Sequence, residues 1–375
     1  MTIKIKEVGG KKELRTFIHL PAKIHKNHHN WVPPVYMDEW LFFNPKKNTA
    51  FSYSDTILLL AYRDGKPVGR IMGIINHKYN KIHNENDARF CFLETYDDQE
   101  VAKALLEKIE QWSYELGAEN IVGPLGFSDK DPQGLLVEGF DEPMVISTHC
   151  NFRYMVDYVE NSGFDKKLDL VVYKIPVPDQ IPEFYLKINE RAKRNNPDLT
   201  VAPLRRKKDI KAYIVPVLTL MNETFSDIYG FSPLTEKEMK EFASRYLMVL
   251  DPRFLKIIIN ELNEVVAFIL AMPDISEGIR KSNGYVFPTG FYHILKSQKK
   301  TNRLSLLLGA VREDYRKSGL DTILGISLLE DTRKAGFTEI DSHLEMESNL
   351  SVRAEMEKMG GEIYKRYRIF QKHLS

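Results

Sequence analysis

Three prolines in seven residues, Pro176-Val-Pro-Asp-Gln-Ile-Pro182, divide this chain near its middle. Proline fixes φ and removes a backbone donor, so the stretch reads as a stiff extended linker between folded units. The same order of elements can be read on either side. Each half shows a helical region, a hairpin, an apolar strand, a helix, a strand, a helix and a last strand. The repeat is one of element order, because the halves share few residues. With 375 residues the chain can bury more than one core. The expected fold class is therefore α+β in two units, 1–176 and 177–375.

The local signals behind this order are specific. Asp64-Gly65 and Leu262-Asn263 sit between alternating apolar segments as hairpin turns. Asp97 or Asp98 caps a helix carrying Val101, Leu105, Ile109 and Trp112 at helical spacing, and Gly117 stops it. In the second half, Lys208–Tyr229 reads as one long helix kinked at Pro216. Leu304–Val311 is an apolar strand and Leu320–Ala335 a helix stopped by Gly336. Glu339–Met346 is a strand, Leu350–Met359 a helix, and Tyr364–Lys372 the last strand.

The chemistry concentrates in Leu304–Asp321. A strand enters a turn containing Arg316, Lys317, Ser318 and Gly319, and a helix opens at Leu320. Such a turn aims bare N–H groups and the positive end of the helix dipole at one point, where an anion is stabilised. Gly319 removes the Cβ that would hinder close approach. The stretch resembles the acyl-CoA motif of the GNAT (Gcn5-related N-acetyltransferase) superfamily, Gln/Arg-x-x-Gly-x-Gly/Ala between the fourth strand and the next helix. Asp321 stands where that motif usually carries Gly or Ala. The order strand, Asn349, then a helix ending in Gly360 continues the resemblance to about Lys372.

The resemblance implies two GNAT-like domains, each a mixed, mostly antiparallel twisted sheet flanked by helices. It implies acetyl-CoA or another acyl-CoA as the bound thioester, held by Leu308, Ala310, Val311, Arg316, Lys317, Ser318, Gly319, Leu320, Asp321 and Asn349. It also implies direct attack by an amine. Met356 occupies the position where many members place a tyrosine acid, so Tyr364 and Tyr367 are the substitutes to consider. Glu347 is the first candidate base and Glu313 the second. The first half offers Glu94-Thr-Tyr-Asp-Asp-Gln-Glu100 where the phosphate loop should be, and four carboxylates without glycine would repel a pyrophosphate. That half is expected to lack the cofactor.

Composition narrows the partners. The formal net charge is +1, and the short basic runs Arg205–Lys208 and Lys296–Arg303 contain no interleaved aromatic, so no nucleic acid is expected. No run of 18 apolar residues occurs and the start lacks an apolar leader, so a cytoplasmic protein without a membrane partner is expected. Cys91 and Cys150 form no CxxC motif. His25, His28 and His29 lie close together, and a helix would bring His25 and His29 onto one face as metal ligands, but Asn27, Asn30 and the following Trp-Val-Pro-Pro favour a loop, and no metal is expected. The resemblance implies a small-molecule or peptide amine as the acceptor. Two alternatives remain: a non-catalytic acyl-CoA-binding scaffold, and an aminoacyl-tRNA-dependent peptidyl transferase, whose family also pairs two such domains.

Overall fold

The computed structural model describes residues 2–374 except 146, 147 and 248. The first half opens with β1 (Ile3–Glu7) and α1 (Lys11–Ile24), then α2 (Tyr36–Phe42). The hairpin β2 (Ser54–Arg63) and β3 (Lys66–Asn76) turns at Asp64-Gly65, and both residues take positive φ. There follow α3 (His77–His83), β4 (Asp87–Thr95), α4 (Gln99–Glu115), β5 (Asn120–Gly123), β6 (Leu135–Glu138), α5 (Tyr154–Asn161) and β7 (Asp165–Pro176). Asp98 caps α4 by accepting from the Val101 N–H, and Gly117 beyond its end is left-handed.

The second half runs α6 (Glu183–Asn195), β8 (Thr200–Val201), α7 (Lys207–Ile210), α8 (Ile214–Thr224) and α9 (Glu236–Tyr246). The expected long helix from Lys208 is therefore broken. A 3-10 turn at Lys211–Tyr213 separates α7 from α8, and Pro216 lies in the first turn of α8, where its missing N–H leaves no intrahelical bond unmade. The chain continues with β9 (Leu255–Ile259), β10 (Val265–Pro273), α10 (Ser276–Lys281), α11 (Gly290–Lys300), β11 (Arg303–Val311), α12 (Leu320–Lys334), β12 (Glu339–Asp341), β13 (Glu345–Met346), α13 (Leu350–Lys358) and β14 (Glu362–His373).

The strands form one sheet in the order β1-β2-β3-β4-β5-β14-β7-β12-β11-β10-β9-β8, with β6 beside β14 and β13 beside β7. The final strands have changed places. β14, from the end of the chain, pairs with β5 and β7, while β7 pairs with β12. Each half is thus completed by the other's last strand. All strand pairs are antiparallel except two, β4–β5 and β11–β12, each only three residues long. α4 and α5 pack on the first half of the sheet through Val101, Leu105, Ile109 and Val159, and α1 and α2 cover its other face through Phe17, Ile18 and Tyr36. In the second half α8 and α9 pack through Val217, Met221 and Met239, and α12 through Ile323, Leu324 and Leu328. Here the structure agrees with the expectation of an α+β, mixed and mostly antiparallel sheet flanked by helices.

Candidate functional site

β11 is paired along its whole length with β10, from Leu304↔Pro273 to Val311↔Ala267. Its other edge meets β12 only at Arg303↔Glu339, Leu304↔Ile340 and Ser305↔Asp341. Beyond Ser305 the two strands part, and Leu306–Val311 has no strand on that side. The register slips between Leu270 and Ala271, opposite Leu308 and Leu306, so Leu307 is the extra residue of a bulge. A bulge bends its strand and increases twist, which opens the fork. An open edge presents unpaired peptide groups, and an extended ligand with amide groups can pair with it as an added strand.

At the far end of that edge the chain makes a 3-10 turn, Glu313–Tyr315, then bends twice. Lys317 and Gly319 both take left-handed φ, 64° and 84°. Gly319 is the N-cap of α12 and offers no side chain, and the N–H groups of Leu320, Asp321 and Thr322 find no acceptor among the described residues. The turn is held from behind. The Asn196 side chain donates to the Ser318 carbonyl at 3.1 Å, and a Cβ on Gly319 would come within 2.7 Å of the Ala192 Cβ. Arg316 and Lys317 are exposed and pair with no carboxylate among the described residues. Asp321 is exposed in the first turn of α12 and makes no cap bond. The turn thus gathers bare amides and two cations beside one carboxylate.

The expected acid–base residues lie in different settings. Glu347 accepts from Arg366 and, at 3.2 Å, from Lys166. Desolvation raises its carboxyl, but those two cations outweigh it and leave the pKa below the usual range. Asn349 caps α13, accepting from the Val352 N–H. Glu313 is exposed. The Tyr364 hydroxyl donates to Asp341, the last β12 residue before the fork; burial and that carboxylate push its pKa far up. Tyr367 is 1 % exposed and packs with Leu136, Leu170 and Ile369.

One carboxylate escaped sequence reasoning. Glu345 lies on β13, where the chain resumes pairing beyond the fork, opposite Val171. It is partly buried, its carboxylate makes no hydrogen bond with the described residues, and desolvation alone pushes its pKa up to about 8. Glu345 and Glu347 are two residues apart on one segment, and nothing in the local pattern distinguishes the partly buried, unpaired carboxylate from the ion-paired one.

The first half repeats the fork in a closed form. β4 and β5 pair only from Asp87↔Asn120 to Arg89↔Val122, but the chain then folds back, and the Leu125 N–H donates to the Phe90 carbonyl at 2.9 Å. The expected phosphate-loop position carries Asp98 as a helix cap, with Arg63 bound to both Asp98 and Glu100. His25 and His28 do meet, but around a carboxylate. His25 Nε2 lies 2.8 Å from Glu94, the two Nδ1 atoms are 3.0 Å apart, and His28 Nε2 is 3.7 Å from the Cys150 sulfur. Glu94 accepts from His25, and the two imidazoles share the contact between their Nδ1 atoms. Burial first, then His25, pushes His28 down to about 4. No group of three metal donors occurs among the described residues.

Comparison with known proteins agrees with this architecture. No known family profile matches the chain. The solved structure of a tandem GNAT protein from the clavulanic acid biosynthesis pathway superimposes over 100 % of this chain and 99 % of its own, with a TM-score of 0.55 at 11 % identity. A GCN5-related N-acetyltransferase from Sphaerobacter thermophilus does so over 99 % and 96 %, with a TM-score of 0.52 at 12 % identity. Those likenesses establish the fold. Among curated sequences, Protein YghO of Escherichia coli K12 is 26 % identical over 97 % of this chain and 94 % of its own length. The bacterial ceramide synthase of Caulobacter vibrioides is 30 % identical over 96 % of this chain and 95 % of its own. On that identity, carried from end to end, the chain belongs to the same family as this ceramide synthase, and its fold is that of the tandem GNAT proteins.

Proposed function

We propose that the chain is an N-acyltransferase that moves a long acyl group from acyl-CoA to the amine of a lipid-type acceptor. The observation that carries this is the unpaired edge Leu306–Val311 leading to the uncapped N-terminus of α12. The pantetheine arm pairs with the edge, and the diphosphate meets the amides of Gly319–Thr322 with Arg316 and Lys317. The first half, with its fork closed by its own chain, does not hold the thioester. The lipid-type acceptor is supported by the relative's name, since a ceramide is the amide of a fatty acid with a long-chain amino alcohol. The apolar residues around the fork favour a long acyl chain over acetyl: Leu307 packs against the buried cluster that contains Val32, Met272, Ile275, Ile279 and Ile294.

The transfer is a direct displacement. The neutral amine attacks the thioester carbonyl, the amide bond forms, the C–S bond breaks and CoA leaves as the thiolate, which solvent protonates while Glu345 returns its proton to solvent. Glu345 takes the proton the amine must lose; a carboxyl raised toward the working pH suits that role better than Glu347, whose lone pairs are taken by two cations. Backbone amides near Ala310 and Val311 receive the developing oxyanion. Tyr364 holds Asp341 at the fork.

The test is turnover of purified protein with acyl-CoA thioesters from acetyl to palmitoyl and sphinganine as acceptor, following free CoA and the amide by mass. The expected result is amide formation that favours the long acyl chains. CoA binding without turnover on any long-chain amine would return the chain to the scaffold reading.

A further inference from the structure

Between β10 and β11 the chain inserts the short helices α10 and α11. Their inner sides are core. Ile279, Val286 and Ile294 pack with Met272, Val32 and the bulge residue Leu307, and Gly278 lets the helices approach so closely that a Cβ there would lie 2.6 Å from the Ile294 Cα. The outer side is different. Tyr285, Phe287 and Tyr292 are 52, 68 and 63 % exposed, three large hydrophobic residues within eight positions. Tyr285 leans on Tyr36, their ring centroids 4.9 Å apart, and exposed aromatics taken singly are ordinary, so the weight falls on the charge that accompanies them.

Charge accompanies them. Residues 277–300 contain five basic residues (Arg280, Lys281, Lys296, Lys299, Lys300) and one acid (Glu277), a net of +4, in a chain whose total is +1. The remainder therefore carries −3, so the basic charge is local. Glu277 is already engaged by Arg280 and, at 3.0 Å, by Lys281. Lys296, Lys299 and Lys300 pair with no carboxylate among the described residues, and Lys296 lies 5.6 Å from the Tyr292 ring centroid. A cleft of about 290 Å³ between the helices is lined by Lys281, His293, Lys296 and Lys300, together with Asp274 and Glu277.

We propose that the outer face of α10–α11 docks on an anionic lipid bilayer. Exposed Tyr and Phe prefer the boundary between headgroups and acyl chains, and clustered lysines are drawn to anionic headgroups. No helix among the described residues is long and apolar enough to cross a membrane, so contact is at the surface. This docking departs from the sequence expectation of no membrane partner. A protein or single-stranded nucleic acid could use aromatics and lysines too. The bilayer is favoured because this patch backs directly onto Leu307 at the fork, the place where a lipid amine must leave the membrane to react. That preference for a bilayer rests on the proposed function; the exposed aromatics and the local positive charge do not.

The full chain is floated with phosphatidylcholine vesicles containing or lacking phosphatidylglycerol. Binding is expected only with phosphatidylglycerol, weakened at least about tenfold on raising salt from about 0.05 to 0.5 M. F287S/Y292S and K299E/K300E should each lose binding while melting at the wild-type temperature. They should also turn over a detergent-dispersed amine normally, and the same amine embedded in vesicles poorly. Failure of the wild type to bind phosphatidylglycerol vesicles, or binding by both variants as tight as wild type, overturns the docking. Vesicle binding without any acyl transfer keeps the docking and removes the proposed function instead.

Discussion

At the residue scale the account turns on Glu345. Its carboxyl is raised to about 8 by desolvation, so the base form accumulates as pH rises through that value. The kcat/KM profile should therefore climb with an apparent pKa near 8. E345Q should lower kcat by about 10²-fold or more and remove that limb, whereas Glu347→Gln should leave the limb in place. Stability should respond in the opposite sense. A carboxyl with a folded pKa above its unfolded value binds more protons in the native state between the two. The Glu345 charge therefore weakens the fold as pH rises from the ordinary carboxylate range to about 8. E345Q should melt above the wild type at pH 9, and the two should melt alike at pH 4. Equal melting at pH 9 would mean that Glu345 is solvated. His28 gives a further pH signature. Held down to about 4, it stays neutral in the fold while the unfolded chain protonates near 6.5, so its contribution is lost as pH falls across that interval.

At the element scale the strand–turn–helix from Arg303 to Lys334 does most of the positioning. Gly319→Ala meets two obstacles, a left-handed φ of 84° and a contact with Ala192. It should cost about 1–2 kcal/mol of stability and weaken CoA binding, read by denaturant titration and calorimetry. Arg316→Ala with Lys317→Ala touches no partner of the fold, so it should leave stability unchanged and weaken CoA about tenfold, less at high salt. This unit was legible in the sequence because an apolar strand, a glycine turn and a helix of 3.6-residue period each leave a local mark. The insert of α10 and α11 left none. Its helices are six and eleven residues long, and the stretch between them contains Asn283-Gly284 and Pro288, which read simply as loop. The break between α7 and α8 was missed for a related reason: Pro216 signals a discontinuity, but whether it kinks a helix or begins one depends on where the helix starts.

At the scale of the whole molecule, the exchange of β7 and β14 makes each half depend on the other. Which strand a C-terminal segment joins is decided by edges formed elsewhere in the chain, so no local pattern of Glu362–His373 could disclose it. The exchange predicts one cooperative unfolding transition. All three tryptophans, Trp31, Trp40 and Trp112, belong to the first half. Their fluorescence and the far-UV circular dichroism of the whole chain should therefore lose signal at the same denaturant concentration. Two separated transitions would show that the halves are stable alone.

In the proposed reaction the thioester lies along β11 and ends at the turn before α12. Amide hydrogen exchange, with and without CoA, tests it most directly. Protection is expected at Leu306–Val311 and at Lys317–Thr322. Protection confined to β4 and the Glu94 region of the first half, or none at either fork under saturating CoA, would contradict it.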